Sequence, residues 1–272
     1  MQTLTNNQKI HFTLRVAASM CFIGHGAFGI ITKAIWCNYF AIFGIDKVHA
    51  YQLMPVMGTV DIFLGLLLLF KPIRAVAVWL VVWSIITAAC RPLSGEPFAE
   101  FIERAGNYGA PFALLVLAGG IKWNFKWLFS TISPGEPVSE KSLSRVKLIL
   151  CSTVFLLLAG HGWLNLIQKP GLVNQYTALG FSNPVNVSVL AGIFEIMAAI
   201  AVLVKPVRPL IVVFLIWKMG SELFYPHFEL FEWVERGGSY GTLLALWLCL
   251  DPSYKTEKGF SKNECFPLTD NG

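Results

Sequence analysis

Charge is what this chain has least of: 14% of its 272 residues are Asp, Glu, Lys or Arg, against roughly 25% in average soluble domains. So few charges cannot cover a soluble surface. With 55% hydrophobic residues and a mean hydropathy of +0.61, much of the surface must face lipid. The net charge of +5 is spread over loops and forms no basic run. That excludes nucleic acid as a partner and makes the lipid bilayer the first one. Cys21, Cys37, Cys90, Cys151, Cys249 and Cys265 show no C-x-x-C and no regular spacing. Most sit in apolar runs, where Cys behaves as a small hydrophobe, so neither a disulfide framework nor a zinc site is expected. A phosphate-binding glycine loop, a nucleophile elbow and a metalloprotease helix are also missing, which removes the common soluble catalytic motifs.

What is present is a repeat. Gly24-His25-Gly26 recurs as Gly160-His161-Gly162, 136 positions later, and Lys71-Pro72-Ile73-Arg74 recurs as Lys205-Pro206-Val207-Arg208, 134 positions later. The longest match is Glu100-Phe101-Ile102-Glu103-Arg104-Ala105-Gly106-Asn107-Tyr108-Gly109. It recurs as Glu232-Trp233-Val234-Glu235-Arg236-Gly237-Gly238-Ser239-Tyr240-Gly241, at an offset of 132. Preserved order with slight drift is what a tandem duplication with small loop deletions leaves.

Each half holds four apolar segments near the ~20 residues needed to cross a ~30 Å hydrocarbon core. They fall at 14–32, 51–70, 73–92 and 105–122, then at 147–167, 185–204, 207–225 and 237–250. The expected fold is therefore an all-α polytopic membrane protein with eight transmembrane helices in two parallel four-helix repeats. The repeats occupy 1–123 and 146–252, joined by a polar cytoplasmic linker at 124–145 and followed by a polar tail at 253–272. A cleaved signal peptide is conceivable at the first segment, but its counterpart in the second half argues for a retained helix. Aromatic-rich 34–45 and 172–181 read as short interfacial helices.

One side of this arrangement carries 14 of the 21 Lys and Arg: Lys9, Arg15, Lys71, Arg74, Lys122, Lys126, Lys141, Arg145, Lys147, Lys205, Arg208, Lys255, Lys258 and Lys262. The positive-inside rule then puts both termini in the cytoplasm, and a bacterial inner (plasma) membrane is the expected location. An even number of spans per half makes the repeats parallel, so equivalent residues lie at similar depth.

Few ionisable residues fall well inside the spans. His25 and Asp61 correspond to His161 and Glu195, and a mid-bilayer carboxylate costs roughly 2.5–3.5 kcal/mol. Each pair is expected to meet inside the bundle, either as packing glue or as a protonatable pair with a catalytic role on a proton or quinone pathway. A third reading has His25 and His161 as axial ligands of one haem. Lys218 and Glu222, four apart, can pair; their counterparts are Ser84 and Ala88.

The Glu-Arg-x-Gly-x-Tyr-Gly motif opens the fourth segment of each half. Glu100–Arg104 and Glu232–Arg236 can pair along a helical face. Beyond that, Glu103, Arg104 and Tyr108, with Glu235, Arg236 and Tyr240, are candidates for binding an anionic or quinone-like head group. Arg91 lacks a basic counterpart, and His11, His49 and His227 read as solvated.

Each half resembles the DoxX-like family of four-helix membrane proteins. The resemblance rests on Leu14-Arg15, Gly24-His25-Gly26, Lys33 and Asp61, then on Gly160-His161-Gly162, Lys169 and Glu195, and covers most of 14–251. It implies a quinone-linked redox component, with quinone as cofactor and other redox subunits as partners. It accounts neither for the duplication nor for the Glu-Arg-x-Gly-x-Tyr-Gly motif. A small-solute transporter or permease and a non-catalytic membrane scaffold stay open beside it, and whether the chain is an enzyme is open too.

Overall fold

The computed structural model describes residues 4–122, 124–135, 138–223 and 230–251. Among the described residues the chain is all-helical, with a single isolated β-bridge between Ile73 and Thr131. In the N-terminal half the helices are α1 (Asn6–Ile30), α2 (Trp36–Ala41), α3 (Lys47–Phe70), α4 (Arg74–Leu93), α5 (Ala99–Glu103) and α6 (Ala105–Leu117). After α7 (Phe125–Leu128) come α8 (Glu140–Leu166), α9 (Pro170–Ala178), α10 (Pro184–Val204), α11 (Arg208–Leu223), α12 (Leu230–Glu235) and α13 (Gly237–Cys249). Five of them, α1, α3, α4, α8 and α10, are long and apolar enough to cross a membrane, which makes this an integral membrane protein.

Local chemistry sets the boundaries. Thr5 and Gln8 form a capping box that starts α1 about two turns before the apolar run. Asp46, Ser139 and Asn183 cap α3, α8 and α10 with side-chain oxygens. One consequence corrects the expectation for His11: it lies within α1, and it is buried rather than solvated. His49 is exposed and bonded to Asp46, and His227 lies outside the described residues. Cys21, Cys37, Cys90 and Cys249 are free, as packing thiols should be, whereas Cys151 is disulfide-bonded, contrary to expectation.

The fourth apolar segments are shorter than expected. α6 stops at Leu117, ahead of Gly119 and Gly120, both at positive φ. At 13 residues each, α6 and α13 are only about 20 Å long. Each continues a short helix across one non-helical residue, Arg104 or Arg236, where the chain makes a tight turn: the Asn107 N–H donates to Arg104 O at 2.9 Å, and Ser239 N–H to Arg236 O at 2.9 Å.

Helices from the two chain halves interlock. α1 packs on α3, α12 and α13, while α8 packs on α10, α5 and α6. Gly24 on α1 lies directly against the Glu235 backbone, and Gly160 on α8 against that of Glu103. Any Cβ at either glycine would collide with main chain, so these Gly-His-Gly motifs are seats for the broken helices of the opposite half. One apolar core runs through both halves, from Leu14 and Leu114 to Leu157 and Leu246.

Candidate functional site

α1 and α8 each end in a Schellman motif whose left-handed residue is not glycine: Thr32 at φ 53° and Gln168 at φ 57°. The next N–H, of Lys33 or Lys169, bonds back to Phe28 O or Leu164 O. This strained turn costs on the order of 1–3 kcal/mol and directs both lysines across to the opposite half. Lys33 Nζ reaches Glu232 at 2.8 Å, and Lys169 Nζ bonds Glu100.

Glu100 also receives Arg91 at 3.1 Å, and Arg91 holds Glu96 at 3.0 Å. The expected helical pair Glu100–Arg104 does not form, because Glu100 is taken by Arg91 and Lys169. Its equivalent, Glu232–Arg236, is present at 3.8 Å. Burial raises the Glu100 pKa, but Arg91 and Lys169 outweigh it and hold the carboxyl below its usual range. Burial and a bond to Glu96 push the Tyr39 phenol upward.

Deeper in the bundle, His25 Nδ1 lies 2.8 Å from Asp61, and Trp83 Nε1 donates to the same carboxylate oxygen at 3.3 Å. The His25 ring stacks on Trp36 with centroids 4.6 Å apart. His25 borders a cavity of ≈ 200 Å³ walled by Trp36, Tyr39, Phe40, Met57 and Trp83, with Arg91, Arg104 and Glu235 at its polar end. Phe43 and Ile86 also line it and are exposed, so it opens sideways at the apolar surface of the bundle.

The second pair sits in different surroundings. His161 Nδ1 is 2.5 Å from Glu195, whose other oxygen accepts from Trp217 Nε1 at 2.8 Å. Asn165 Nδ2 also donates to Glu195, and Asn165 in turn accepts from Tyr176 Oη at 2.9 Å and bonds Ser188. Lys218 and Glu222 pair at 2.8 Å, as their spacing predicts, with both side chains buried. Glu222 comes within 3.6 Å of Arg236 Nε, and Arg236 also bonds Glu103. Only ≈ 20 Å³ of space is left beside His161.

Of the candidates from the sequence, the structure gathers His25, Arg104 and Glu235 at one cavity, with Asp61 behind His25, and Glu103, His161 and Arg236 at the other. Tyr108 and Tyr240 border neither; Tyr108 packs on Phe101, and Tyr240 on Trp233. His25 and His161 line different cavities, so the residues present do not fit one haem held between them. No group of three or more metal-ligating side chains occurs among the described residues. Sequence reasoning missed Trp83 and Trp217. They are 134 positions apart, the offset of the Lys-Pro-x-Arg repeat, and that offset was the available signal. Against known proteins, no family model, no curated protein and no solved structure matches this chain.

Proposed function

We propose that this chain binds a quinone-like ring in the cavity beside His25, and that the His25–Asp61 pair exchanges a proton with the bound ring. In this reading the protein is a quinone-linked membrane component of eight spans in two parallel repeats, with both termini in the cytoplasm. The observation that carries it is an imidazole, held by a carboxylate, on a ≈ 200 Å³ aromatic-walled cavity that opens sideways. A dry cavity of about 150 Å³ suffices to bind benzene, so a ring fits and a lipophilic tail can leave through the side opening. When bound, the quinone supplies the redox chemistry. Trp36 and Trp83 would line the space it occupies, His25 would offer or take the proton, and Asp61 would stabilise the charged imidazole. The resemblance to DoxX-like proteins points the same way.

The test is organic extraction of the purified protein, with tryptophan fluorescence titration by 2,3-dimethyl-1,4-naphthoquinone. Extractable quinone and saturable quenching are expected, with the pH dependence of binding lost in His25→Gln. Absence of both would overturn the reading. A transporter is the second reading, favoured by one observation: helices interrupted at Arg104 and Arg236, beside buried charges, are a form that transporter sites take. Loss of solute uptake in His25→Gln vesicles, without quinone binding, would favour it.

A further inference from the structure

The two sites differ in how their equivalent arginines are satisfied. Arg236, buried, donates a hydrogen bond to Glu103 and has two further carboxylates in ion-pair range, Glu222 from α11 at 3.6 Å and Glu232 at 3.8 Å, though its Nε makes no hydrogen bond. Arg104 is equally buried, at 6% exposure, and borders the larger cavity. Yet its guanidinium donates no hydrogen bond among the described residues: Nε and Nη1 are unpartnered, and its sole ion pair, to Glu235, is 3.9 Å long. A buried guanidinium left in this state is costly, because desolvated donors need acceptors.

The position equivalent to Glu222 accounts for one carboxylate that Arg104 lacks. α4 and α11 start 134 positions apart, at Arg74 and Arg208. That offset also relates Trp83 to Trp217, and it makes Ala88 the counterpart of Glu222 and Ser84 that of Lys218. Where one half supplies a carboxylate of its own to the arginine, the other supplies a methyl group and a cavity. We infer that the ligand of the first site carries an oxygen anion on its ring, a carboxylate or an ionised hydroxyl, and brings it to Arg104, where the other half sets the Glu222 carboxylate 3.6 Å from Arg236. Arg91, also on the cavity wall, is already paired with Glu96 and Glu100, which leaves Arg104 as the guanidinium for the ligand. This inference rests on the cavity being the ligand site, and it adds the charge of the ligand.

The test uses the full-length protein in detergent and three probes, read by tryptophan quenching. These are 2,3-dimethyl-1,4-naphthoquinone, the near-isosteric 2-hydroxy-3-methyl-1,4-naphthoquinone, which is ionised at neutral pH, and 2-naphthoate. The hydroxyquinone should bind about tenfold or more tighter than its neutral partner, and Arg104→Gln should remove that preference. Ala88→Glu should reverse the preference, while Ala88→Gln, equal in bulk but uncharged, should retain it; both folds are checked by thermal unfolding. Equal binding of the two quinones would overturn the anion inference and leave the quinone reading standing. Arg104-dependent binding of naphthoate without either quinone would do the opposite. If Arg104→Gln fails to fold, the contrast between the two Ala88 variants decides.

Discussion

The Asp61 and Glu195 sites share an imidazole, a carboxylate and an indole donor, and differ in what fills the space beside them. Around Glu195, Asn165, Tyr176, Lys218 and Glu222 close a polar network in which the buried carboxylate has several partners. Around Asp61, the position of Asn165 is Gly29, that of Lys218 is Ser84 and that of Glu222 is Ala88, and the larger cavity lies beside His25, Trp83 and Arg104. The difference teaches that a buried ion pair can act as an internal plug. Its stabilisation need not be large, since buried pairs often only break even with apolar packing, but it removes the space a ligand would need.

The strongest way to break this comparison is to unplug the closed site. Lys218→Ser with Glu222→Ala should create a second binding site, raising the ligand stoichiometry from one to two by quenching titration or equilibrium dialysis. A stoichiometry that stays at one would mean that more than these two side chains separates the sites. Next in size, Glu195→Ala strands His161, Trp217 and Asn165 and should cost about 3–5 kcal/mol. Asp61→Ala, beside a cavity that admits solvent or ligand, should cost clearly less. Denaturant unfolding in detergent measures both, and equal losses would erase the distinction.

Gly24→Ala and Gly160→Ala test what the two sites share. Each Cβ would strike main chain of the opposite half, with an expected loss of about 1–3 kcal/mol, similar in both and seen as a lower Tm. The smallest expected difference is between the indoles. Trp217→Phe should cost about 1–3 kcal/mol, because it unpairs a fully buried acceptor. Trp83→Phe, which removes a longer bond of 3.3 Å, should cost about 0.5–1.5 kcal/mol.

Much of the site was legible because it depends on position along one chain. Intramembrane charges must find partners, so His25 with Asp61, His161 with Glu195 and Lys218 with Glu222 follow from spacing and repeat alignment. The early start of α1 was equally open to reading in Thr5 and Gln8. What was hidden depends on how segments far apart in sequence cross. Nothing in residues 100–104 says that the helix breaks there, or that Arg104 faces Glu235 while Glu100 turns to Lys169. The cavity was hidden for the same reason: its wall is assembled from residues as far apart in sequence as His25, Trp83, Arg104 and Glu235.

Gly24 seated on Glu235, and Gly160 on Glu103, has a consequence for covalent connectivity. In an assembly of identical four-helix chains crossed in this way, every substitution would appear on both sides of the axis, and a plug such as Lys218–Glu222 would stop both mouths together. A single polypeptide carries no such obligation. Because each half completes the other's site through these crossings, severing the chain within 124–145 should leave two fragments that are each without a wall. Joined, they are free to divide the labour, one keeping an open berth while the other serves as its keel.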